Sequence, residues 1–137
     1  MRARRAPARV IVMTRIAAPR ALVLVEDSAG GEPPLAVPGR LVSATATSVA
    51  VGCAGAGATD IRLGDLALVP FGPTHQAFDG RLSTPSRKLA VRTILGATLM
   101  EVTVPTADTH VRIWANSLVE PTELTIAVAR AASGVAR

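Results

Sequence analysis

His75 and His110 are the only histidines in this 137-residue chain, so a proton shuttle working near neutral pH, or an imidazole-ligated metal, must use one of them. A zinc or iron site would need carboxylates such as Asp79, Asp108 or Glu101 alongside. A serine hydrolase would need Ser83 or Ser86 brought to His75 and Asp79. No spacing in the sequence places these groups together, and a triad is recognised by geometry, which any chain of this size can imitate on paper. Asp79 and Glu101 could be imagined as paired carboxylates, but the pairing derived below sets Glu101 between two arginines. That lowers its pKa and makes it a poor general acid. An enzyme using His75 or His110 is therefore an alternative and not the leading reading. The sequence calls for no cofactor and no metal.

The string Gly52-Cys53-Ala54-Gly55-Ala56-Gly57 has the glycine content of a phosphate loop. It lacks the following Gly-Lys-Ser/Thr and the helix whose N-terminus would face a phosphate, so it reads as a flexible hairpin connection. Cys53 is the single cysteine, which excludes an intrachain disulfide and a cysteine zinc site and suits a small buried hydrophobe. Aromatic residues are confined to Phe71, Phe78 and Trp114. Sugar-binding faces and single-stranded nucleic-acid platforms depend on aromatic stacking, and both become unattractive.

The net charge is +5, and its location decides its meaning. Arg2, Arg4, Arg5, Arg9, Arg15 and Arg20 fall in the first 20 residues with no acid among them. The remainder holds nine basic and ten acidic residues, so the body of the protein is electrically ordinary. A basic arm can hold phosphate by counterion release, but a solvated tail is the favoured reading of residues 1–9, and nucleic acid is not the expected partner. Lys88 is the only lysine, and with abundant alanine this reflects the coding bias of a GC-rich, bacterial genome.

Hydrophobic residues make up 49% of the chain and charged residues 18%, against a usual charged fraction of about 25%. Mean hydropathy is +0.37. Some apolar surface is thus expected to be covered by a partner. A membrane is not the expected cover, because Arg15, Pro19, Arg20, Glu26 and Asp27 interrupt the longest apolar runs well short of the roughly 20 residues that a spanning helix needs. Arg15 and Arg20 also break any secretory apolar region, and a cytoplasmic location is expected.

The elements that must position these residues are strands. Apolar residues recur with period two in short runs at 10–16, 21–25, 41–53, 59–63, 66–71 and 122–128, separated by Gly, Pro and Asp. Within 59–63, Ile61 and Leu63 point inward and Asp60 and Arg62 outward. Segments 28–39 and 70–85 are turn-rich, the latter with Asp79-Gly80 as a turn. Residues 129–137 suggest a helical turn or frayed end. The expected organisation is a basic arm over 1–9, a single β domain over 10–130 and a tail over 131–137. Its fold is an all-β antiparallel sandwich, jelly-roll-like, or a small barrel of about eight strands with little helix.

Residues 89–115 suggest a meander. A two-residue turn at Gly96-Ala97 sets Leu95 opposite Thr98, Thr93 opposite Met100, Val91 opposite Val102 and Leu89 opposite Val104. A four-residue turn over Pro105-Thr106-Ala107-Asp108 then sets Val104 opposite Thr109, Val102 opposite Val111 and Met100 opposite Ile113. On the other face the two registers bring Arg92, Glu101 and Arg112 into one row, with Ile94, Leu99 and Trp114 in the neighbouring row and His110 on the same face. This face is the expected binding patch, since Trp and Arg are enriched at interface hot spots. The leading functional expectation is a non-enzymatic protein-interaction or self-assembling module, as a homo-oligomer or with a protein partner. The alternative is a small-molecule ligand held between the sheets or at the loop end of Phe71, His75 and Phe78.

Overall fold

The computed structural model describes residues 10–35, 39–66 and 74–136. The basic arm over 1–9, most of the run at 66–71, and Phe71 lie outside the described residues. In chain order the elements are β1 (Val10–Ile16), a single 3-10 turn (Pro19–Ala21), β2 (Leu22–Asp27), β3 (Val42–Ala44), β4 (Ser48–Gly52), β5 (Thr59–Asp65), β6 (His75–Ser83), β7 (Lys88–Thr93), β8 (Thr98–Thr103), β9 (Asp108–Ala115), β10 (Glu123–Val128) and β11 (Gly134–Ala136). They form a five-stranded sheet in the order β1-β5-β10-β9-β6 and a six-stranded sheet in the order β11-β8-β7-β2-β4-β3. The two sheets make a sandwich and not a closed barrel.

The period-two pattern explains the core directly. Val23 and Val25 of β2, Val49 and Val51 of β4, Leu89 and Val91 of β7, and Met100 and Val102 of β8 point inward from the six-stranded sheet. Ile61 and Leu63 of β5, Val111 and Ile113 of β9, and Leu124 and Ile126 of β10 meet them from the other sheet, all in one hydrophobic cluster. Asp60 and Arg62 face outward, as the alternation requires. The large apolar side chains lie on one face of each sheet, so a one-residue slip in any strand would turn that set away from the core.

Several details differ from the sequence expectation. Eleven strands are described, against about eight, because 41–53 divides into β3 and β4, and because β6 and β11 occupy segments expected as turn and tail. The sheets are not wholly antiparallel, since β10 lies parallel to β5. Asp79-Gly80 sits in the middle of β6. Gly80 is tolerated there because the Phe78 ring folds over it, with the ring Cζ only 2.7 Å from where a Cβ would stand.

The meander is divided: β7 and β8 keep its first hairpin in the six-stranded sheet, and β9 lies in the other sheet. At the first turn Gly96 N–H donates to Thr93 O at 3.0 Å and Thr93 N–H donates to Ala97 O at 2.9 Å. The loop is therefore Ile94-Leu95-Gly96, with Gly96 last at φ +95°, the left-handed position of a three-residue hairpin. This moves the register by two residues, setting Leu89 opposite Val102 and Val91 opposite Met100, with Leu99 as a bulge before Arg92 meets Thr98. The second connection carries the chain out of one sheet and into the other. Val104 N–H donates to Arg87 O and Thr84 N–H donates to Ala107 O, so this crossing runs beside the β6–β7 crossing, and the two support each other. Val102 and Val111, expected as ladder neighbours, instead join the same core from opposite sheets.

Candidate interaction surface

On the outer face of the five-stranded sheet, β9 presents His110, Arg112 and Trp114, and β6 presents Gln76, Asp79 and Arg81 in register with them. Inward-facing Val111 and Ile113 are fully buried and lock the strand, so the outward side chains are held by packing beneath them. His110 Nε2 lies 2.5 Å from Asp79 Oδ1, and Arg112 Nε donates to Asp79 Oδ2 at 3.2 Å. The hydrogen bond from His110 holds the Asp79 carboxyl below its usual range, the charges of His110 and Arg112 adding to it against partial desolvation. Arg81 Nη1 donates to Asp108 Oδ2 at 2.9 Å. Trp114 is half-buried on this face, in register between Gln76 and Thr125. With both Asp79 oxygens taken by N–H donors, the cluster is poorly suited to general acid chemistry and well suited to holding His110 and Arg112 in fixed positions.

The other arginine and carboxylate of the expected row occupy the outer face of the six-stranded sheet, under the 28–35 loop. Arg92 Nη1 donates to Glu26 Oε2 at 2.9 Å, and its other donors reach Thr98 Oγ1 and the Ser28 carbonyl. Ser48 Oγ donates to Glu26 Oε1 at 3.0 Å, and Ser28 Oγ donates to Glu101 Oε2 at 2.7 Å. Asp27 accepts from Ser86 N and Oγ and from Ala29 N, closing the loop onto the sheet. Gly31 passes so near the β3–β4 turn that a Cβ would stand 2.5 Å from Thr47 O, which only glycine permits. The Glu26 side chain is 7% exposed and that of Arg92 17%, so this network fastens a loop and is not offered to a partner.

The expected patch is thus divided. Arg92 and Glu101 belong to one outer face and Arg112, His110 and Trp114 to the other, and the row Arg92, Glu101, Arg112 is not formed. Leu99 is packed in the core, and Ile94 is 38% exposed at a hairpin tip. The alternation of β9 is enough to place Trp114, Arg112 and His110 on one face. No local signal names Asp79 as their partner, because Asp79-Gly80 has turn composition. Glu26, Asp27, Ser28, Ser48 and Ser86 were also missed as a network, since their union depends on a loop folding back over a sheet.

The hydrolytic and metal arrangements are not assembled. Asp79 bonds His110 and not His75, Ser86 bonds Asp27, and His75 is exposed at the start of β6. Among the described residues no three His, Cys, Asp or Glu side chains converge as metal ligands. Cys53 is buried, and burial pushes its thiol up to about 11. Phe78 covers Gly80, and Phe71, the other aromatic of the expected loop-end ligand site, lies outside the described residues. An open cleft of about 420 Å³ lies between Arg81, Thr106, His110 and Arg130, and a second of about 460 Å³ between Arg40, Leu41, Cys53 and Leu118 to Glu120. Among the described residues no helix is long and apolar enough to cross a membrane.

No protein-family model matches this chain, and no curated protein matches it in sequence. Among solved structures, its fold matches ComJ of Bacillus subtilis, an inhibitor of the DNA-degrading activity of NucA, with a TM-score of 0.67. The match covers 90% of this chain and 98% of ComJ at 9% sequence identity, so the two proteins are alike in fold across almost their whole length.

Proposed function

We propose that this protein is a non-enzymatic interaction module that acts by covering a surface of a partner protein, with the β6–β9 outer face as its contact. The observation that carries this reading is the whole-chain likeness to ComJ, a protein inhibitor. Trp114 and Arg112 are residue types favoured at hot spots, and with His110 they stand on β9, whose inward Val111 and Ile113 are fully buried. Because Asp79 already holds Arg112 and His110, little side-chain freedom is lost on binding. The sharper form of the proposal is that the partner is an enzyme whose activity the module suppresses, a nuclease by analogy with ComJ.

The test is in-cell crosslinking and mass spectrometry with the wild-type protein and with Trp114→Ala and Arg112→Ala. A saturable partner captured by the wild type and lost by both variants, with unchanged circular dichroism, supports the surface. Equal capture by all three moves the contact elsewhere, and no saturable partner overturns the module reading. If the partner is a nuclease, its DNA cleavage should fall to completion at one equivalent of module.

A further inference from the structure

β6 is an edge strand, and the direction of its backbone groups can be read from its neighbours. Thr84 N–H donates to Ala107 O on the β9 side, whereas Ser83 N–H turns the other way and donates to Ala46 O at 3.0 Å. Backbone groups alternate along a strand, so the N–H and C=O of Asp79 and Arg81 point off the sheet edge. The pairing agrees, because His110, opposite Arg81, has its carbonyl engaged by Ala129 N–H on the far side of β9. Among the described residues no backbone partner meets these outward groups of Asp79 and Arg81. Gly80 between them faces inward yet keeps accessible surface, and a glycine's surface is backbone.

We infer that this edge pairs with the same edge of a second copy of the chain, antiparallel and centred on Gly80. In that register Asp79 stands opposite Arg81 of the second copy, and Arg81 opposite Asp79 of the second copy. Both are hydrogen-bonded pairs, and each exchanges two backbone bonds. The facing side chains lie on the outer surface with opposite charge. At the central, closest pair there are only glycines, so no side chain holds the strands apart. Charged residues usually guard an edge against pairing. Here the guard is selective: sliding by one ladder step sets Asp79 against Asp79 or Arg81 against Arg81, so a single register escapes repulsion. The pairing joins two five-stranded sheets edge to edge. It is short, ending where Ser83 is engaged with Ala46 and where the ladder shifts between Gln76 and Phe78, so the dimer is concentration-dependent.

Sedimentation equilibrium from about 10 µM to about 1 mM tests this, since a short interface belongs to the weak end of the affinity scale. The expected result is a rise from monomer to dimer mass, with the amides of Asp79 and Arg81 exchanging more slowly as concentration increases. Arg81→Pro removes an N–H that points off the sheet, together with the exposed Arg81–Asp108 pair, and should leave a monomer. Arg81→Asp, at a side chain 64% exposed, sets carboxylate against carboxylate and should weaken association at least tenfold even if the proline variant misfolds. A monomer throughout overturns the inference, as does a dimer that Arg81→Asp leaves unweakened or in which the two amides stay unprotected. Neither outcome touches the capture experiment for a partner protein.

Discussion

The two outer faces of the sandwich carry the same chemistry in different surroundings. On the six-stranded sheet, Arg92 and Glu26 meet at 2.9 Å beneath a folded-back loop, with Ser28, Ser48 and Thr98 completing their hydrogen bonds. On the five-stranded sheet, Arg112 and His110 flank Asp79 in the open, with side chains 38%, 25% and 40% exposed. An ion pair withdrawn from water must be fully partnered, and removing one member leaves an uncompensated charge. An exposed pair contributes little to folding and leaves its groups available to another molecule. An Arg-carboxylate pair therefore says nothing about function until its cover is known.

Replacing one arginine on each face would test this contrast. Arg92→Ala is expected to destabilise the protein by about 3 kcal/mol in urea unfolding, because it strands Glu26. Arg112→Ala should cost less than about 1 kcal/mol. Equal losses would show that the outer cluster is structural after all. Next in size is Gly96→Ala, expected to cost about 1 kcal/mol because φ at this position is +95°. A neutral result would mean that Gly96 does not hold the left-handed conformation that closes this hairpin.

The titrations give smaller effects. The Cys53 thiol is pushed up to about 11 from 9.0, so the folded state holds a proton that the unfolded state releases. Its contribution is complete below pH 9 and is lost as pH rises from 9 towards 11, and a thiol reagent at neutral pH should react with Cys53 only on unfolding. Asp79 shows the opposite sign. Its depressed pKa makes a contribution present above its ordinary 3.8 and lost as pH falls through the folded value. Carboxyl titration by NMR should find Asp79 below 3.8, moving back towards it more in His110→Ala than in Arg112→Ala. The reverse ranking would mean that Arg112, and not His110, holds the carboxylate.

How much of this was legible varies by residue. Ile61 and Leu63 inward with Asp60 and Arg62 outward follows from alternation alone, as does the shared face of His110, Arg112 and Trp114. The turn at Gly96 was placed correctly along the chain, but glycine serves both the first position of a two-residue turn and the last of a three-residue loop, and the register moved by two residues. Such an even shift preserves the face of the paired residues, so their pattern could not expose it, and Leu99 alone changes sides, as the bulge that makes the shift even. β6 was hidden because Asp79-Gly80 has the composition of a turn, and only the Phe78 ring over Gly80 makes a strand there acceptable.

The sequence by itself determined that the chain is built of strands, which side of most of them is apolar, and where it turns outside β6, because these depend on a residue and its near neighbours. Tertiary structure decided which strands adjoin. Two sheets facing across a core satisfy the same alternation as one continuous meander, so Val102 and Val111 can meet along a ladder or across the interior. The paired crossings at Thr84–Ala107 and Arg87–Val104 settle it, and with it which charges are buried and which are left on the surface.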